Sequence, residues 1–189
     1  MIIEKLISVN KYSRPAKKLK KVKGIVIHYT ANNGASAKAN IDFFENRKYG
    51  RDGFGSATFF VDLNGDVYRC IPEDELTYNC GGESYNPDVL KILETTYPND
   101  STLGIEMCIN KEGKLNPETY NKTVLLSTYL LKKYDLYDTK YLFRHYDITR
   151  KICPEPFINI NVWNKFKQDV SNSLEKYKNI YSKGMENLL

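Results

Sequence analysis

The chain has 189 residues, 41% of them hydrophobic and 27% charged, with a formal net charge of +5. That length allows one domain with a real core, and no apolar run approaches the roughly 18–20 residues of a membrane-spanning helix. The N-terminus, Met1-Ile-Ile-Glu-Lys-Leu-Ile7, lacks the apolar stretch and cleavage site of a secretory signal. Synthesis in the cytoplasm is therefore expected, with any outside action depending on release or another export route.

Residues 1–20 read as irregular, with a turn at Ser13-Arg-Pro15. The basic cluster Lys17-Lys18-Leu-Lys20-Lys21-Val-Lys23 leads into an apolar run. It reads either as a solvated approach to a strand or as an attraction to an anionic surface such as a bacterial wall. Aromatic residues follow no basic stripe, so nucleic acid is not expected as a partner. Gly24-Ile-Val-Ile-His28 has the continuous apolar character of a buried strand. Ser36 to Arg47 predicts a helix with Ser36 as its N-cap, and Tyr49 to Gly55 a glycine-rich loop.

Residues 57–61 and 66–71 predict a hairpin around the Asn64-Gly65 turn signal. The loop Tyr78-Asn-Cys-Gly-Gly82 follows, then a short helix after Pro87. Leu103 to Ile109 predicts a strand with Ile105, Met107 and Ile109 on one face and Gly104, Glu106 and Cys108 on the other. A long helix is expected from Pro117 and a last strand over Tyr141 to Arg144, with His145 at its end. The final helix, about residues 161–181, carries the stripe Trp163, Phe166, Val170, Leu174, Tyr177 and Tyr181. Strands and helices mix without strict alternation, which predicts an α/β fold with a central mixed sheet flanked by helices.

The chain's two histidines, His28 and His145, both end apolar runs, and Cys153 follows in a loop held by Pro154 and Pro156. Each histidine alone fits a buried, hydrogen-bonded residue. Together with Cys153 they make three donors of the types zinc prefers, with a fourth position open as in catalytic sites. Glu106 is either an edge-strand carboxylate in solvent or a general base beside the metal. Lys151 is either ordinary loop charge or a cation that stabilises an oxyanion. Cys70 and Cys108 read as small core residues. The cysteines form no CxxC pair, and a reducing compartment at synthesis is the simpler view.

Three ordered blocks carry a family resemblance: Gly24-Ile-Val-Ile-His28-Tyr-Thr30, Gly104-Ile-Glu106, and Arg144-His145-Tyr-Asp-Ile-Thr-Arg-Lys151-Ile-Cys153-Pro154. Over about residues 20–170 the chain resembles the zinc-dependent N-acetylmuramoyl-L-alanine amidases. These are the type 2 amidases, related to peptidoglycan recognition proteins and phage endolysins. The resemblance implies Zn2+ held by His28, His145 and Cys153, Glu106 as the acid/base residue, and Lys151 at the oxyanion. It also implies cleavage of the amide between N-acetylmuramic acid and L-alanine in bacterial peptidoglycan, by an endolysin or autolysin. A monomer of one catalytic domain, residues 1–189, is expected. The competing class is a non-catalytic peptidoglycan-binding module, which in this family typically lacks the cysteine ligand.

The chain departs from the family pattern in two places. Where many relatives carry a Trp-His-Ala-Gly-like segment, this chain has Tyr78-Asn79-Cys80-Gly81-Gly82, without the histidine. Asn79 and Cys80, with Thr30, become the candidate substrate-contacting residues. Where some relatives place a helper tyrosine, this chain has the region of Ala57. The insertion Glu83 to Asp100 is expected to form one wall of the groove.

Overall fold

A computed structural model describes residues 1–182, with side chains described through Tyr177. Six strands form one mixed sheet: β1 (Ile2–Glu4), β2 (Gly24–Tyr29), β3 (Phe59–Val61), β4 (Val67–Arg69), β5 (Thr102–Met107) and β6 (Leu142–Arg144). Their spatial order is β1-β4-β3-β5-β2-β6. Only the β3–β4 hairpin is antiparallel. The helices are α1 (Ala37–Asn46), α2 (Pro87–Leu93), α3 (Pro117–Lys133), α4 (His145–Thr149) and α5 (Ile160–Ser182).

Local chemistry sets most of these boundaries. Ser36 Oγ accepts the Ala39 N–H at the start of α1, and Asn86 Oδ1 accepts the Asp88 N–H ahead of Pro87 in α2. The hairpin closes through Asp62 N–H to the Asp66 carbonyl, 2.8 Å, so its loop is Leu63-Asn64-Gly65. Gly65 takes φ +83° there, the left-handed position that favours glycine.

Two expectations are corrected. Residues 2–4 are not irregular but form β1, which lies parallel to β4 in the register Ile2–Val67. Three residues carry too little periodicity to announce a strand, and the partner lies far along the chain. His145 does not end a strand; it opens α4 directly after β6. The Arg144 N–H donates to Asp147 Oδ2 at 2.8 Å, capping that turn.

Side-chain alternation divides the sheet into two faces. Ile25, Ile27, Phe59, Val61, Leu103, Ile105 and Met107 point to α3 and α5, where Leu130, Leu131, Trp163, Phe166, Val170 and Leu174 cover them. Each fully buried side chain of this kind stabilises by about 1.5–3 kcal/mol. The predicted stripe of α5 is thus core from Trp163 to Leu174; Tyr181 lies outside the described side chains. Cys70 and Cys108 are fully buried, as expected, and all four cysteines are free thiols.

The other face is covered from two sides. Ala37 and Ile41 of α1 pack on Phe60, Tyr68 and Cys108. Val89 and Leu93 of α2 pack on Val26, Phe143 and Cys80. Between these two helices the carboxyl ends of β2 and β5 remain open, the position where α/β sheets bind ligands. The basic cluster is largely neutralised: Lys18, Lys20 and Lys23 pair with Asp74, Asp100 and Glu94. Among the described residues, no helix is long and apolar enough to cross a membrane.

Candidate metal centre and active site

His28 and Glu106 stand side by side, because the parallel β2–β5 register pairs their Cα atoms. Each follows a small or apolar residue on the same face, Val26 and Gly104, so both side chains emerge between α1 and α2. α4 brings His145 to the same place, with its ring 5.0 Å from that of His28 at 73°. Cys153 arrives from the loop after α4. That loop is tied down by Tyr146 N–H to the Cys153 carbonyl, 2.9 Å, and by Arg144 Nη1 to the Phe157 carbonyl, 2.9 Å. Arg144 is itself buried and paired with Asp147 at 2.6 Å.

The donor atoms of His28, His145 and Cys153 all lie within 4.8 Å of one another. Cys153 Sγ is 3.6 Å from His28 Nδ1. Tetrahedral ligands at about 2.0–2.3 Å from one zinc ion stand roughly 3.3–3.6 Å apart, so this pair has the required spacing. The outer nitrogens are occupied: His28 Nε2 faces Asn79 Oδ1 at 3.4 Å, and His145 Nε2 faces the Gly81 carbonyl at 2.9 Å. Donation of Nε2–H to these oxygens leaves Nδ1 of each ring unprotonated, the arrangement that orients metal-binding imidazoles.

Electrostatics point the same way. Burial pushes the His28 imidazole well below its usual range, with the neighbouring His145 adding to the effect. Burial lowers His145 to about 4. Both rings are therefore neutral at physiological pH, the form that binds metals. Burial raises the Cys153 thiol to about 12, so it ionises at neutral pH only when a cation is its neighbour. Glu106 is pushed up to about 8 by burial, with Lys151 pulling it down. Its Oε2 is buried without a partner.

A cleft of about 270 Å3 opens beside the cluster, lined by Thr30, Phe60, Glu106, Lys151 and Cys153 and by Asn40, Phe43, Phe44 and Arg47 of the α1 side. A larger groove of about 700 Å3 between α3 and α5 lies on the opposite face and holds none of the cluster residues. The sequence-derived residues His28, His145, Cys153, Glu106, Lys151 and Thr30 thus converge. Asn79 and Cys80 do not reach the cleft. Asn79 is a buried partner of His28, and Cys80 is fully buried, its thiol against Asn79 Oδ1 at 3.0 Å. None of the cleft-lining residues comes from 83–100; that segment instead packs α2 beside the cluster on the same face.

Two further residues were not legible as functional. Gly81 contributes only its carbonyl. Gly104 leaves room for Asn79, whose Cβ would lie 3.0 Å from a Cβ at that position. Replacing Asn79 by alanine is expected to weaken metal binding at least about tenfold by freeing the His28 ring. Competition against a chromophoric chelator measures this directly, and undiminished affinity would remove Asn79 from that role.

Residues 18–156 match the N-acetylmuramoyl-L-alanine amidase family. The chain belongs to that family. It is 36% identical over 159 residues to the N-acetylmuramoyl-L-alanine amidase CwlL of Bacillus licheniformis, covering 84% of this chain and 43% of that protein. It is 35% identical over 160 residues to the amidase BlyA of Bacillus subtilis, covering 81% of this chain and 42% of that one. The chain therefore spans less than half the length of these curated relatives. Among solved structures, a mutant endolysin from Bacillus subtilis matches with a TM-score of 0.71 at 26% identity, over 90% of this chain and 98% of that one. The amidase fold agrees with the mixed sheet and flanking helices expected from the sequence.

Proposed function

We propose that this amidase-family chain hydrolyses the amide between N-acetylmuramic acid and L-alanine in bacterial peptidoglycan, with one zinc ion held by His28, His145 and Cys153. The observation that carries this reading is the three-donor cluster beside an unpartnered carboxyl at the mouth of a cleft. A zinc ion bound there supplies Lewis acidity toward the scissile carbonyl and lowers the pKa of water to about 7. The three donors are joined by no fourth among the described residues, a set that would suit a catalytic rather than a closed structural zinc site.

The chain's own residues supply the proton handling and charge balance. The Glu106 carboxylate, which lines the cleft, takes the proton from the attacking water and returns it to the departing alanine nitrogen. Its raised pKa keeps it close to the operating pH, where such transfers are most effective. No histidine is spare for this task, because both imidazoles are committed to the cluster. Lys151, exposed at the rim, offers its ammonium to the oxyanion. Thr30 lines the cleft beside them, where it is a candidate to contact substrate. The net charge of +5 suits an anionic wall reached as part of an endolysin or autolysin.

Digestion of purified peptidoglycan followed by mass spectrometry tests this. New N-terminal L-alanine without new reducing sugar ends is expected, and chelation abolishes it. New reducing ends alone would mark a glycosidase and overturn the assignment.

A further inference from the structure

Residues 79–81 touch both imidazoles from outside, Asn79 through its side chain and Gly81 through its carbonyl. What holds these residues in place comes from 83–100, the segment that lines no part of the cleft. Asn99 sits in the single turn Pro98–Asp100, just before β5. Its Oδ1 accepts the backbone N–H of Asn79 at 3.1 Å and that of Cys80 at 2.8 Å. Its Nδ2 donates to the Tyr97 hydroxyl at 2.8 Å, which fixes the end of the amide that faces residues 79 and 80. The turn is anchored in its own right. Thr102 Oγ1 donates to the Pro98 carbonyl at 2.9 Å, and the Ser101 carbonyl accepts the N–H groups of Lys23 and Gly24 at 2.8 and 3.2 Å. Asn99 is therefore fixed to the starts of β5 and β2, the strands that carry Glu106 and His28.

The same segment reaches the second histidine from its other end. The Asn86 N–H donates to the Ile148 carbonyl at 2.8 Å, and Asn86 Nδ2 to the Asp147 carbonyl at 3.2 Å. Both acceptors lie in α4, which opens with His145. Asn79 itself has its amide set by Nδ2 donating to Thr77 Oγ1 at 2.9 Å, so Oδ1 is the end left for His28. Asn99, Asn79 and Cys80 are all buried, Asn99 with 2% of its surface exposed. Removal of the Asn99 side chain would leave two buried N–H donors unsatisfied. Residues 79–81 would have to shift to find other partners, and the oxygens that orient both rings would shift with them.

We infer that Asn99 is a positioning residue of the metal centre, which sets the outer partners of both histidines at once. This rests on the zinc reading above. Segment 83–100 then acts as a brace: it bonds the helix of His145 and returns to hold residues 79 and 80 from behind.

The test is zinc affinity, measured by competition with a chromophoric chelator. Asn99→Ala is expected to bind zinc at least about tenfold more weakly than wild type. In an Asn79→Ala background Asn99→Ala is expected to cost affinity again, because the Gly81 carbonyl is still released from His145. Equal affinity of wild type and Asn99→Ala would overturn the assignment. So would a loss that vanishes in the Asn79→Ala background, since Asn99 would then serve one ring only. A purely structural role is separated by 15N-edited NMR of the zinc-loaded protein. Wild type is expected to give two ring N–H signals, one from each histidine, and in Asn99→Ala both should shift and exchange faster with solvent. Weaker zinc binding with both signals unmoved would overturn the role. Should Asn99→Ala fail to fold, Tyr97→Phe decides, because it removes only the hydroxyl that holds the Asn99 amide. A weaker zinc affinity is expected there, and wild-type affinity would overturn the assignment. Wild type that takes up no zinc would sink the zinc reading and this one with it.

Discussion

Glu106→Gln is expected to lower kcat for amide hydrolysis on the order of 10²–10⁴-fold while zinc content stays at that of wild type. Glutamine keeps the shape and loses the ability to accept and return a proton near neutral pH. Its strand neighbours cannot replace it: the paired residue on β3 is Phe60, and Ala57 is a buried methyl. Activity on muramyl peptides together with elemental analysis measures both quantities. Turnover near wild type would remove Glu106 from the mechanism.

The same variant has a stability signature. The carboxyl has its pKa raised by burial from 4.5 to about 8. A raised acid costs nothing below its unfolded pKa and opposes folding increasingly as pH rises from there toward the folded value. The metal-free wild type should therefore lose stability between about pH 4.5 and 8, and Glu106→Gln should be spared that loss. Its melting temperature is expected to exceed wild type by several degrees at pH 8 and by little at pH 5. A gap of equal size at both pH values would show that the gain is not electrostatic. The acid is retained at a cost to folding, as expected where function needs a poised carboxyl.

The second large effect concerns the donor set. Cys153→Ser is expected to abolish stoichiometric zinc binding, because a hydroxyl is a poor substitute for thiolate at a site of two imidazoles. Elemental analysis after gel filtration reads the result, and full occupancy would refute the assignment. In the wild type, binding must displace the thiol proton, since burial holds Cys153 protonated up to about pH 12 without a cation. The histidines are already neutral, His145 down to about pH 4. Affinity should therefore fall about tenfold for each pH unit lost between roughly pH 8 and 5, one proton per ion. A slope nearer two would mean that a second donor is protonated in that range.

Much of this site was readable in residue types and short-range pattern. Alternation in Leu103–Ile109 put Glu106 on the face away from Ile105 and Met107, and β5 has it so. Ser36, Pro87 and Pro117 announced their helices because capping and proline chemistry act within one turn. The three candidate donors could be named because the chain has only two histidines and the third block of the family resemblance carries Cys153. Other features needed chain segments distant in sequence. β1 exists through its pairing with β4, and His28 neighbours Glu106 only through the β2–β5 register. Asn79 looked like a groove residue, yet packing over Gly104 turns it inward onto His28. Arg47 closes the helix expected over Ser36 to Arg47, and only the folding of the Gly55 loop against it places it in the cleft. Local chemistry thus determined the caps and the face of each strand, because these depend on neighbours within a few residues. The tertiary structure alone decided which donors meet, which nitrogens are free and which charges share a cleft, because those depend on sheet register and helix packing across the whole chain.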